Sequence, residues 1–124
     1  MHKIKITAGK VTLDAELVES PTTEKIRAAL PIETQTNTWG DELYFDIGVA
    51  AAPEPDAKAD VEVGELGYWP PGNAFCIFFG RTPASSDDRP KAASPVNIIG
   101  KVTGDASLLK SVRNGDNVRI EKAE

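Results

Sequence analysis

Apolar and polar side chains alternate with a period of two along much of this chain, in runs too short for helices and punctuated by glycine and proline. No other feature constrains the fold as much, because such alternation buries one side of a pleated strand and leaves the other in solvent. Residues 3–8 carry Ile4 and Ile6 on one side; residues 11–17 carry Val11, Leu13, Ala15 and Leu17. Ala8-Gly9-Lys10 between them reads as the turn of an amino-terminal hairpin. In residues 42–47, Leu43, Phe45 and Ile47 oppose Glu42, Tyr44 and Asp46. Residues 32–38, 61–63, 68–69, 74–79, 96–102 and 117–121 read as further strands, with Pro70-Pro71-Gly72 as a turn. About eight short strands with Gly/Pro turns point to a barrel or sandwich.

Two segments break this period. Ser20 has the chemistry of an N-cap and Pro21 suits a first helical position. Ile26, Ala29 and Leu30 then fall on one stripe of a short helix over 22–30, which Pro31 stops. Asp105 similarly caps a helix over 106–112, with Leu108, Leu109 and Val112 on one side and Gly115 beyond its end. Residues 53–60 (PEPDAKAD) and 81–95 (RTPASSDDRPKAASP) read as loops, the second long enough to serve as a lid or a plain connection.

The 124 residues suit one domain, 1–124, able to bury about two-thirds of its unfolded surface without metal or disulfide staples. With 40% hydrophobic and 27% charged residues, the chain is neither disordered nor fibrous. A net charge of −5 and the lack of a basic patch argue against nucleic acid as a partner. The single cysteine, Cys76, and single histidine, His2, allow neither an internal disulfide nor a Cys/His zinc site. Cys76 reads as a small buried hydrophobe and His2 as exposed. No continuous apolar run suggests a signal peptide or membrane span, so a cytoplasmic protein is expected. Around Gly100-Lys101 a phosphate loop fails, since Pro95 stands where a glycine is needed and Val102 replaces Ser or Thr. Asp87-Asp88 lacks the further ligands of a calcium loop. Neither a cofactor nor a metal is expected.

WGDELYF (39–45), GELGYWPPGNAFCIFFGRTPAS (64–85) and NIIGKV (97–102) give the chain a recognisable signature. It resembles a small prokaryotic family of cyclophilin-like proteins without an established activity. The resemblance implies a mainly β fold, a small closed cyclophilin-like β-barrel with two short helices. Cyclophilins isomerise Xaa-Pro bonds, against an uncatalysed barrier of about 18–20 kcal/mol. They hold proline in an aromatic pocket and use an arginine on the twisted amide. NAFCIFFG (73–80) resembles the strand with the pocket phenylalanine, and VNIIGKV (96–102) the strand after the pocket. The pocket histidine, however, would fall near Val96 and the glutamine at Ala74, and no arginine occurs between Arg27 and Arg81. The resemblance implies the barrel without the isomerase groups.

All eight aromatic residues lie between Trp39 and Phe79. Most are expected to fill the core, with Phe75, Ile77 and Phe79 pointing inward. Phe78 opposes Phe75 and Phe79 across the strand, and Tyr44 opposes Phe45, so some rings must lie on the outer side. The expected site is an apolar groove of Trp39, Tyr44, Trp69 and Phe78 with Arg81 at its edge and Glu42 beside it. Its partner would be a small molecule or a short extended peptide, with no catalytic residue assigned. A weak peptidyl-prolyl isomerase, in which Arg81 replaces the missing arginine, is the alternative. Glu33, Asp41 and Glu42 offer carboxylates for a small acid-base enzyme, although in an acidic chain such residues are ordinarily solvated surface.

Overall fold

The computed structural model describes residues 1–123. Its strands are β1 (His2–Ala8), β2 (Val11–Leu17), β3 (Ile32–Gln35), β4 (Asn37–Thr38), β5 (Glu42–Asp46), β6 (Lys58–Asp60), β7 (Glu65–Trp69), β8 (Ala74–Phe78), β9 (Lys91–Val102) and β10 (Asn117–Lys122). One α-helix, α1 (Pro21–Ala29), joins β2 to β3. The expected second helix is a 3-10 helix, Ala106–Ser111, and Pro70–Gly72 forms a shorter 3-10 turn.

The chain is mainly β, with one large antiparallel sheet. Its strands pair in the order β3-β10-β1-β2-β9-β7-β8-β5-β4, and β6 pairs with β9 off this path. The two end strands of that order are consecutive in the chain, separated only by Thr36. Thr36 is buried; its N–H donates to the Asp116 carbonyl at 2.9 Å and its carbonyl accepts from Gly115 N at 2.7 Å. The amino-terminal hairpin forms as the alternation requires, pairing Ala8 with Val11 across Gly9 at φ +56°.

Helix α1 starts at a reciprocal cap: Ser20 Oγ accepts from Thr23 N at 3.1 Å, and Thr23 Oγ1 accepts from Ser20 N at 2.9 Å. A buried polar knot then ties the helix to the loop before β6. Asn97 is fully buried; its amide donates to Thr22 Oγ1 and to the Ala52 carbonyl, each at 3.0 Å, and accepts from Glu54 N at 2.8 Å. Thr22 Oγ1 in turn donates to the Glu54 carboxylate.

Two faces of the sheet are covered. The larger core takes Leu43 and Phe45 from β5, Phe75 and Ile77 from β8, and residues of β1, β2, β7, β9, β10 and α1. Phe45 and Phe75 stack with centroids 5.4 Å apart. On the opposite face, Ala74, Cys76 and Phe78 pack with Val61, Ala92 and Val96, against Tyr44, Trp69 and Ile98. Gly67 makes this second cluster compact, because a Cβ there would lie 2.8 Å from Val96 Cγ2 and 3.2 Å from Phe78 Cε2.

Three expected boundaries change. Residues 91–95 belong to β9 rather than to a loop. Pro95 is tolerated because this half of β9 pairs only with β6, across an irregular register between Lys58↔Val96 and Asp60↔Lys91. Likewise 58–60, read as loop, form β6, whereas 61–63 make no strand.

Candidate functional site

β5 sends Glu42 and Tyr44 to the outer face, two residues apart, as the pleat dictates. Trp39 sits in the turn before β5, its N–H donating to the Glu42 carbonyl at 2.9 Å. At the end of β7, the Trp69 indole is fixed by donation from Nε1 to Ser94 Oγ at 2.7 Å. These four residues, with Ala92, Ala93 and Val96 of β9, line a cavity of about 200 Å³ that is mostly apolar.

Glu42 is the one charged group in that lining. It is only 5% exposed, and Oε1 is buried without a hydrogen-bond partner among the described residues. Burial, which penalises the charged form, pushes the carboxyl from its ordinary 4.5 up to about 7; a weak hydrogen bond with the Cys76 thiol pulls the other way. Cys76 is buried on β8, 3.9 Å from the Ala74 carbonyl, and its thiol is pushed well up by burial and then by Glu42. A protonated, enclosed thiol is a poor nucleophile. A carboxyl near 7 in a cavity wall can hold or release a proton, or accept a hydrogen bond from a guest.

Four of the six residues singled out in the sequence therefore meet around one cavity. Phe78 does not line it: the ring is fully buried in the cluster beneath, because β9 covers the face that alternation left open. Arg81 does not reach it either. Its side chain is 58% exposed, with Nη1 4.0 Å from Asp88 Oδ1, while its carbonyl accepts from Asp41 N. Glu33 lies on β3, is paired with Arg119 of β10 and does not line the cavity with Glu42. His2 is half-buried rather than exposed, with Nε2 3.3 Å from Glu19 Oε1. The lining residues missed from sequence, Ala92, Ala93 and Val96, lay in or beside the segment read as a loop. Val96 is also the position near which the resemblance placed the cyclophilin histidine.

Among the described residues, no group of three or more His, Cys, Asp or Glu could hold a metal ion, and no helix is long and apolar enough to cross a membrane. A broader cleft runs past Thr7, Glu33, Asn117 and Arg119, but its charged groups pair with one another at the surface.

No curated protein matches the chain. Among solved structures, the hypothetical protein AF2241 from Archaeoglobus fulgidus, determined in solution, is 41% identical with a TM-score of 0.83, over 98% of this chain and 95% of that one. McbB in complex with tryptophan is 17% identical with a TM-score of 0.69, over 97% of this chain. This chain spans only 44% of McbB, and at that identity the likeness is one of fold. The sequence pattern described as Cyclophilin-like matches residues 2–121, and the chain belongs to that cyclophilin-like family.

Proposed function

We propose that the chain is a cyclophilin-like binding module of one domain, which takes a ring-sized group of a small molecule or short peptide between Trp39, Tyr44 and Trp69. The sheet is read as a closed barrel, with residues 32–38 pairing on one half with β10 and on the other with β5. The observation that carries the reading is the size and lining of the cavity. At about 200 Å³ it exceeds the ~150 Å³ that accepts benzene in an engineered core, and it falls short of the ~300–1,000 Å³ of drug-sized sites. One ring fits, with the rest of the guest outside. McbB, part of which shares this fold, is in complex with tryptophan, which is in keeping with a ring as the anchoring group.

A prolyl isomerase would need a cation at the twisted amide. The cavity offers Glu42 instead, and Arg81 faces Asp88 outside it, so that alternative draws no support from the geometry.

Titration with indole, followed by backbone amide NMR, tests the reading. Saturable shifts at Trp39, Tyr44, Trp69 and Val96, weakened in Trp69→Ala, are expected. An indole concentration of ten times Kd should add about 1.4 kcal/mol to unfolding stability. Absence of saturable shifts with indole, or equal binding to Trp69→Ala, overturns it.

A further inference from the structure

We propose that the cavity selects an organic ammonium, whose nitrogen donates to the Glu42 carboxylate while its ring or branched alkyl group lies between the aromatic side chains. The inference rests on the binding-module reading and adds the charge class of the guest.

Three observations converge on it. Glu42 Oε1 is buried and unpartnered, and Glu42 lines the cavity. A carboxylate held so is costly, and a donor that a guest brings to the cavity side of the same carboxyl offsets part of the cost. Second, three aromatic residues, Trp39, Tyr44 and Trp69, line the cavity, and ring faces carry a negative potential that favours a cation. Third, the remaining lining residues, Ala92, Ala93 and Val96, carry no charge, so an anionic guest would meet Glu42 with nothing to offset it. The net charge of −5 points the same way, drawing cations rather than anions toward the surface.

The state of Glu42 sets the strength of the interaction. Cys76 on β8 is the titratable group against it and stays neutral as a thiol. Tyr44 shares the face of β5, and β9 contributes only Ala92, Ala93 and Val96 to the cavity. Ammonium binding should therefore strengthen as Glu42 ionises.

Calorimetric titration of the full chain with benzylammonium and with benzyl alcohol tests this, since the two share a ring and differ in charge. At about pH 8 the ammonium should bind about tenfold to a hundredfold more tightly, the range expected of a charge-assisted hydrogen bond. The ratio should shrink at about pH 6, as Glu42 gains its proton. In Glu42→Gln the ratio at about pH 8 should fall at least several-fold and no longer change between the two pH values. A wild-type ratio near one, or one that survives undiminished and pH-dependent in Glu42→Gln, overturns the ammonium assignment and leaves the ring pocket standing. Failure of both probes to bind overturns the pocket and the assignment together. Should Glu42→Gln not fold, the wild-type ratio at the two pH values decides alone.

Discussion

Replacing Glu42 with glutamine should remove a pH dependence that the wild-type fold carries, and its size follows from the burial of one carboxyl. In the unfolded chain Glu42 titrates near its ordinary 4.5; in the fold it is held up at about 7. Between those values the folded state keeps a proton that the unfolded state has lost. Unfolding then releases a proton, so stability falls as pH rises. The contribution is fully present below about 4.5, is lost progressively, and is gone above about 7. At about 1.4 kcal/mol for each tenfold change in proton affinity, the loss is about 3 kcal/mol. Glutamine has the shape and neutrality of the protonated acid at every pH. Urea unfolding of both proteins at intervals from about pH 4 to about pH 8 reads the effect, because other titrating groups cancel in the difference. Relative to wild type, the variant should gain about 3 kcal/mol across that range, equivalent to about 10 °C in Tm for a chain of this length. Any fixed penalty for the glutamine amide moves the whole difference curve without changing its slope. A flat difference from pH 4 to 8 would refute the reasoning, since it would mean that Glu42 is as well solvated in the fold as in the unfolded chain.

Phe78→Ala should cost about 3–5 kcal/mol in urea unfolding, as a fully buried ring does when removed from a packed cluster. Arg81→Ala should change stability by less than about 0.5 kcal/mol and leave indole binding untouched, because its ion pair lies in solvent. Asn97→Ala should cost about 2–4 kcal/mol, since it strands Glu54 N and the Ala52 carbonyl; hydrogen exchange should then quicken at Glu54. Gly100→Ala should be the most damaging of the glycine changes, at about 3 kcal/mol or more, because its Cβ would lie 2.0 Å from the Glu16 carbonyl oxygen. Gly104→Ala, whose nearest contact would be Leu13 Cδ2 at 3.4 Å, is the mild control.

What could be read from the sequence was what local periodicity encodes. Ile4, Ile6, Leu13 and Leu17 all fall in the core on the face that alternation assigned to them. Ser20 and Pro21 start α1 as their capping chemistry requires. Less legible was anything decided by a partner far along the chain. Residues 92–95 (Ala-Ala-Ser-Pro) have weak strand propensity, and they are extended because β6 lies beside them across an irregular register. The helix expected over 106–112 closes as a 3-10 helix of six residues, too short for propensity to hold an α-helical turn against the packing of Ala106 and Leu109. For the site, alternation identified the face carrying Tyr44 and Phe78 but could not say what would cover it. Val96 and Ala92 help bury Phe78 fully, whereas Tyr44 and Trp69, packed against the margin of that cluster, stay half-buried and line the cavity.

The placement of Glu42 is the clearest departure from what folding alone would favour. Its neighbours in the strand, Leu43 and Phe45, do what β5 needs by entering the main core, and the outer face needs only to be apolar to join Cys76 and Val96. A glutamine or leucine at 42 would meet that need without the cost of about 3 kcal/mol attached to a buried carboxylate at neutral pH, one of whose oxygens has no partner among the described residues. That cost is a sizeable part of the 5–15 kcal/mol of total stability typical of small domains. Departures of this kind, where local chemistry works against the fold, concentrate at functional sites. Here the departure lies in the wall of an apolar, ring-sized cavity rather than at a random point of the surface. Removing it should therefore trade function for stability: Glu42→Gln should be the more stable protein at neutral pH and the poorer ligand-binding one. A variant that gained stability and lost nothing in binding would show the carboxylate to be a packing fault and not part of a site.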